Sequence, residues 1–267
     1  VVEDAPQGAE VGWGGFVVRQ FAGEGLYVVA QNVRSARLTG QQHAIEQAVQ
    51  LKETLGGEVI ALSMGIPATE RLLRDAVSRG ADRAVLLSDK RFAGADTLAT
   101  SYTLALGIKK FGPVDLILCG KMAVDGDTAQ IGPELAEQLD VPHVTDVSRI
   151  ISIMDGMVIC DKTTDTGSQT LRVKLPALLT VMKDINMPRM PSIDGVFQGL
   201  ATPVQVLDAE ALGADPARIG LSGSPTQVKR TYVPTSRGES VTFEGNPEEQ
   251  AEQILKRVGE VLADGGI

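Results

Sequence analysis

From Gln41 onward, short apolar runs alternate with stretches of helical periodicity at regular spacing. Residues 42–55 place Ala44, Ile45, Ala48, Val49 and Leu51 on one side of a helix, which Gly56-Gly57 ends. Residues 58–63 read as a short strand and Met64-Gly65-Ile66-Pro67 as a turn. Residues 68–79 are the next helix, closed by Gly80. A strand at 84–87 follows. The Gly94–Thr97 segment then opens a helix to about Phe111, with Asp96 or Thr97 as its cap, and Gly112-Pro113 breaks it. Residues 116–119 form an apolar strand covered on both faces. A Gly/Asp/Thr-rich loop comes next, then an amphipathic helix starting near Thr128 or Ala129. This alternation with short joints predicts an α/β fold, a doubly wound, mostly parallel sheet of the Rossmann-like, nucleotide-binding kind. Ligands of such sheets lie beyond the carboxyl ends of the strands. There Met64-Gly65, Ser88 with Gly94–Thr97, and Gly120–Gln130 converge on one crevice suited to a nucleotide.

Beyond Pro142 the pattern changes. Residues 144–153, 157–161 and 169–174 look like strands, and 175–181 is an apolar strand returning to the main sheet. The segment from Asn186 to Asp194 is rich in proline and is expected to be an irregular loop. Residues 204–212 read as a short strand and turn. From residue 213 the chain is expected to leave the nucleotide-binding domain (1–212) as an extended arm ending in a helix (213–267). Asn246-Pro247-Glu248-Glu249 is a strong start for that helix, with a cap, a proline at the first position and acids in the first turn. In the first forty residues only Gly25–Ala30 and Gly15–Val18 suggest strands.

The 267 residues carry a net charge of −9, with no basic stripe to neutralise phosphates, so a nucleic-acid partner is not expected. Cys119 and Cys160 are too few for a disulfide framework or a metal cluster, and both sit in apolar runs as buried thiols. No apolar run approaches the roughly 20 residues of a membrane span, and no signal peptide is evident; the expected location is cytoplasmic.

The chemistry concentrates after Cys119, in Gly120-Lys121-Met122-Ala123-Val124-Asp125-Gly126-Asp127-Thr128-Ala129-Gln130-Ile131. Backbone amides of such a loop, together with the start of the following helix, form a natural phosphate site. Asp125 and Asp127 fit helix capping and loop shaping, while Thr128 and Gln130 are better placed as direct ligands. Lys121 suits a phosphate or a carbonyl, or else is a solvated side chain. Met64 packs and Gly65 gives clearance at the neighbouring turn, which on physical grounds is equally a plain strand-ending turn. His43 and His143 share no metal-ligand spacing, so no metal site is expected.

Several of these segments, in order and at matching spacing, resemble the beta subunit of electron-transfer flavoproteins. Besides the loop after Cys119 they are Ala44–Ala48 with Leu51–Glu53, Ser63–Gly65, Gly80–Asp82, Gly94–Thr100, Leu175–Thr180 and Ser222–Val228. The resemblance implies an electron-carrier subunit, paired with an alpha subunit that holds FAD. It has no catalytic side chains of its own and oxidises NADH only within the pair. It also implies a cofactor site containing Met64, Gly65, Asp96, Thr97, Thr100 and the residues from Gly120 to Ile131. The Gly94–Thr100 and Asp125–Gln130 segments look more like the class that holds a second FAD. That class takes hydride from NADH and bifurcates the electrons, towards an acyl-CoA dehydrogenase and a low-potential acceptor such as ferredoxin. Small Gly94, Ala95 and Ala99 would then leave room for the flavin ring, with Asp96 and Thr97 bonding its edge. The alternative class holds a structural AMP. A hydrolase or ligase of the adenine-nucleotide-binding kind is disfavoured by the lack of a Ser-Gly-Gly-x-Asp-Ser loop. Two departures stand out: no Val-Lys-Gln-Val-Pro-like turn occurs in residues 1–33, and Leu38-Thr39-Gly40-Gln41 stands where the family has Asn-Pro-x-Asp. The family's dehydrogenase-docking loop would place Ile193 as its apolar anchor, but no lysine cluster follows it.

Overall fold

Short strands and helices alternate along the chain, and the buried side chains of the described core divide between two apolar clusters. A computed structural model describes residues 3–4, 26–30, 40–122, 128–229 and 241–263. Strands β1 (Glu3–Asp4) and β2 (Leu26–Ala30) precede helix α1 (Gly40–Leu55). Then come β3 (Val59–Met64), α2 (Glu70–Ser78), β4 (Arg83–Leu87), α3 (Thr97–Lys109), β5 (Leu116–Gly120) and α4 (Ile131–Leu139). The second half holds β6 (His143–Met154), β7 (Met157–Thr164), β8 (Gly167–Lys174) and β9 (Ala177–Val181). It continues through α5 (Ile193–Ala201), β10 (Val204–Leu207), α6 (Ala209–Leu212) and α7 (Pro247–Ala263).

The strands form one sheet in the order β1-β8-β7-β6-β9-β5-β2-β3-β4-β10. From β6 through β9, β5, β2, β3 and β4 to β10 every neighbour is parallel, while the β6–β7–β8–β1 extension is antiparallel. The α/β, mostly parallel fold expected from the sequence is therefore the one observed.

Strand periodicity sorts the core. Val59, Ala61, Leu116 and Leu118 face the layer of α1 and α2, where Ala44, Val49, Leu73 and Val77 cover them. Ile60, Leu62, Ile117 and Cys119 face the layer of α3 and α4, with Leu104, Ile108, Leu135 and Ala136. Each large side chain so buried contributes roughly 2 kcal/mol through water-excluded apolar area. Both faces are covered, as the unbroken apolar runs required.

Several boundaries differ from the sequence expectation. Residues 26–30 form a central strand, while Gly15–Val18 lies outside the described residues. Helix α4 begins at Ile131, because Ala129 takes a left-handed conformation (φ 55°) that cannot belong to a helix. The proline-rich segment gives way at Ile193 to α5, whose N-terminal amide at Gly195 is capped by the Ser192 hydroxyl at 3.0 Å. After β10 the expected turn contains the short α6.

The chain divides into two compact units, Val1–Gln227 and Val228–Ile267. The first reaches beyond the boundary expected at residue 212, since Ser224 and Thr226 bond back to Asp96. In the second, Asn246 Oδ1 accepts from the Glu249 amide at 3.0 Å, and Glu249 Oε2 accepts from the Asn246 amide at 3.1 Å. This reciprocal capping box starts α7 as the sequence implied. Its apolar stripe of Ile254, Leu255, Val258, Val261 and Leu262 is exposed. No helix among the described residues is long and apolar enough to cross a membrane.

Candidate functional site

The chain enters the parallel sheet at β2, moves outward through β3 and β4, then returns to the other side of β2 as β5. The reversal creates a switch point at the carboxyl ends of β2 and β5, the place where open α/β sheets bind ligands. The registers set the loops around it. Ala30 lies beside Ser63, and Val29 beside Cys119, so Met64-Gly65 and Gly120-Lys121 flank the end of β2.

Helices α3 and α4 start side by side at this edge. The Thr97 hydroxyl is 3.0 Å from Glu134 Oε1 and 3.3 Å from Gln130 Oε1, which brings the start of α3 against Gln130 and the first turn of α4. The start of α3 is closed by Asp96, whose Oδ1 accepts from the Ala99 amide at 3.1 Å. Among the described residues no side chain caps the start of α4: Gln130 supplies none and Pro133 has no amide, while Asp125 and Asp127, expected as caps, lie outside the described residues. Gly132 lets this end approach β9, since an added Cβ would collide with Thr180 Cγ2.

The remaining expected site residues take distinct places. Met64 is buried in the core, its neighbour Gly65 donating an amide bond to Leu87 O at 3.0 Å. Thr100 is buried within α3. Met122, Thr128 and Gln130 are exposed, Ala129 is half-buried and Ile131 is buried. Ala123, Val124, Asp125, Gly126 and Asp127 lie outside the described residues. The Lys121 ammonium pairs with Asp146 Oδ1 at 2.6 Å. The charge of Lys121 is thus already answered by a carboxylate.

Asp96 and the space near it differ from expectation. Both carboxylate oxygens already have partners, because Oδ2 accepts from the Thr226 amide (3.0 Å) and hydroxyl (2.9 Å). Partial burial opposes its charge, but the bonds from Ala99, Thr226 and Ser224 outweigh it and hold the carboxyl below the usual range. Ala99 is fully buried and Gly94 turns its open side to Leu221. The room expected at Gly94 and Ala99 is thus taken by the core and by the 220–226 segment.

Three participants were not singled out from the sequence. Glu134 has a carboxyl pushed up, first by burial and then by the nearby Asp96 charge, and its buried Oε2 has no hydrogen-bond partner among the described residues. Gln41, in the first turn of α1, is buried with its Oε1 unpartnered among the described residues. Asp146 answers Lys121 from a left-handed position in β6 (φ 61°). Helical spacing after Pro133 was the only available signal for Glu134; nothing local marked the other two. Cys119 is inert, its thiol pushed up to about 12 by burial. No group of three or more His, Cys, Asp or Glu among the described residues could hold a metal ion. Among the described residues, α4 amides without a side-chain cap, an exposed Thr128 hydroxyl and an unpartnered Gln41 amide oxygen fit a phosphorylated nucleotide.

A second surface lies on α5. Gly195 and Gly199 face α2, where an added Cβ would meet Ser78 O or approach Arg74 O to 2.5 Å. The close approach leaves the opposite, apolar side of α5 outward. Ile193 is 77% exposed, Phe197 66% and Leu200 65%, beside Met187 at 88% and Met190 at 83%. Exposed apolar surface of this size is a candidate for interaction.

A family model described as "Electron transfer flavoprotein domain" matches residues 27–212. The chain is 40% identical over 232 residues to an electron transfer flavoprotein subunit beta of Thermoanaerobacterium thermosaccharolyticum, covering 86% of this chain and 88% of the relative. It is 42% identical over 212 residues to the caffeyl-CoA reductase-Etf complex subunit CarD of Acetobacterium woodii (79% and 80% covered). It is 38% identical over 222 residues to the acryloyl-CoA reductase electron transfer subunit gamma of Anaerotignum propionicum (80% and 83% covered).

Proposed function

Because the chain belongs to the electron transfer flavoprotein family, among its beta subunits, we propose that it binds FAD in the switch-point crevice and works as half of a bifurcating heterodimer. The observation that carries this most is the start of α4, which no described side chain caps, beside the Thr97–Gln130 contact; its amides suit a dinucleotide phosphate. Bound there, FAD would accept hydride from NADH and release electrons singly. The chain's own part is binding and orientation. The amides of Ile131 and Gly132 and the Thr128 hydroxyl hold phosphate, Gly65 lets the chain turn closely at the end of β3, and Asp96 fixes the loop that opens α3.

The partners follow from the same family and from the α5 surface. An alpha subunit completes the heterodimer, held in part by the arm and its helix α7, and the complex works in the cytoplasm. The apolar face around Ile193 and Phe197 docks an acyl-CoA dehydrogenase, which receives one electron stream, while ferredoxin receives the other. Relatives named as parts of acyl-CoA reductase complexes support this choice of partner. The second reading, a structural AMP in the same crevice, draws on the same phosphate-binding amides.

NADH titration of the purified heterodimer tests the proposal. Bleaching of flavin by NADH, with ferredoxin reduced only when the acyl-CoA acceptor system is also present, is the expected result. No flavin reduction by NADH would contradict it.

A further inference from the structure

Residues 182–192 link β9 to α5 and carry Met187 and Met190 at the edge of the apolar patch. Two of these residues, Asn186 and Arg189, bond to α1. Asn186 Nδ2 donates to His43 O at 3.0 Å, and His43 Nδ1 lies 3.1 Å from Asn186 O. At the centre is Arg189. Its amide and Nε donate to Glu46 Oε2 at 3.0 and 2.9 Å, and Nη2 donates to Glu46 Oε1 at 3.1 Å. Its Nη1 and Nη2 also bridge Glu53. From α2, Arg79 Nη1 donates to Arg189 O at 2.6 Å, and Arg74 Nη1 donates to the carbonyls of Gly199, Leu200 and Thr202 at the end of α5.

Glu46 is unusual for a surface ion pair, since its side chain is only 6% exposed. Burial alone would push its carboxyl up, yet the bonds from Arg189 outweigh that and hold it below the usual range. A charge buried this deeply requires a countercharge: without Arg189, Glu46 would keep only the bond from Gln50 Nε2 at 2.8 Å. Planar, two-sided pairing is also something guanidinium achieves and ammonium does not.

We propose that Arg189 is a positioning residue for partner recognition, its double pairing with Glu46 and Glu53 fixing residues 186–192 on α1 and so setting where the apolar face of α5 is presented. This rests on the docking role proposed above for that face. The partners of Arg189, namely Glu46, Glu53 and Arg79, are not among the residues assigned to the nucleotide crevice. The clamp acts by pre-organisation: a preset α5 face leaves less ordering to be done when the partner arrives.

The test uses the intact heterodimer with Arg189→Met and Arg189→Lys. Deuterium exchange over residues 186–201 should rise at least severalfold in Arg189→Met and less in Arg189→Lys, with residues 59–64 unaffected. The KM for the acyl-CoA dehydrogenase that accepts electrons from the wild type should rise about tenfold. The kcat and the nucleotide content should be unchanged. Unaltered exchange over 186–201 in Arg189→Met would overturn the inference, as would a rise in KM accompanied by loss of nucleotide, the mark of general unfolding. Phe197→Ser separates the two claims. If it leaves KM unchanged the docking role falls, while the exchange measurement still decides whether Arg189 holds the segment.

Discussion

The Thr226 hydroxyl donates to Asp96 Oδ2 at 2.9 Å, joining two residues 130 positions apart. With the Thr226 amide and the Ser224 hydroxyl on the Asp96 backbone, it ties the root of the C-terminal segment to the loop that opens α3. Thr226→Val keeps the shape and removes the donor. A bond to a carboxylate at an exposed position should cost about 1 kcal/mol. The expected outcome is a small drop in melting temperature with several-fold faster nucleotide release, followed by stopped-flow fluorescence. Unchanged release would show that the loop does not need this tie.

Gly132 sits where α4 meets β9, and a methyl group there would strike Thr180. Gly132→Ala should push the helix end outward and cost roughly 1–3 kcal/mol through overpacking. Denaturant unfolding together with nucleotide quantification checks it. A stable variant with full nucleotide content would remove the α4 start from the site.

Glu134 makes stability depend on pH in a defined direction. Its folded carboxyl is raised above the ordinary 4.5, by burial first. Below that value both states are protonated and nothing is lost. As pH rises, the unfolded chain ionises first, so stability falls until the folded group also ionises. Glu134→Gln retains an acceptor for Thr97 and removes the ionisation. Its melting temperature should match the wild type at pH 4 and exceed it at pH 8. A variant less stable than the wild type at pH 8 alone would assign Glu134 a favourable charge.

On the α5 face, Ile193→Ala and Phe197→Ser should each raise the KM for the acyl-CoA dehydrogenase, roughly tenfold for an anchor of about 1–2 kcal/mol. NADH-dependent reduction of the flavin should not change. Steady-state electron transfer at varied dehydrogenase concentration reads both. Equal KM values in both variants would move the docking surface elsewhere.

Helices α1 to α4 and strands β3 to β5 were legible because each buries one face at the period of its element. Val59 and Ile60 go to opposite layers, as strand alternation demands. Helix α5 was hidden by the opposite circumstance. Pro188, Pro191, Gly195 and Gly199 look like breakers, whereas the glycines are where the helix abuts α2. Its apolar spacing at Ile193, Val196, Phe197 and Leu200 faces outward and covers no core. Strand β2 was legible only as a short apolar run, since its partners β3 and β5 come later in the chain. The loop after Cys119 stood out by composition, and Thr97 meeting Gln130 followed from the topology. The pairing of Asp96 with Thr226, of Lys121 with Asp146 and of Arg189 with Glu46 could not be read locally. Each joins residues brought together only by the finished fold.

The central claim is that the switch-point crevice of this chain holds a flavin. Co-purifying it with its alpha subunit, releasing the ligands by heat and quantifying FAD and AMP by chromatography tests that directly. Two FAD per heterodimer is the predicted result. One FAD with one AMP would contradict it, and would make the start of α4 the cradle of a structural nucleotide.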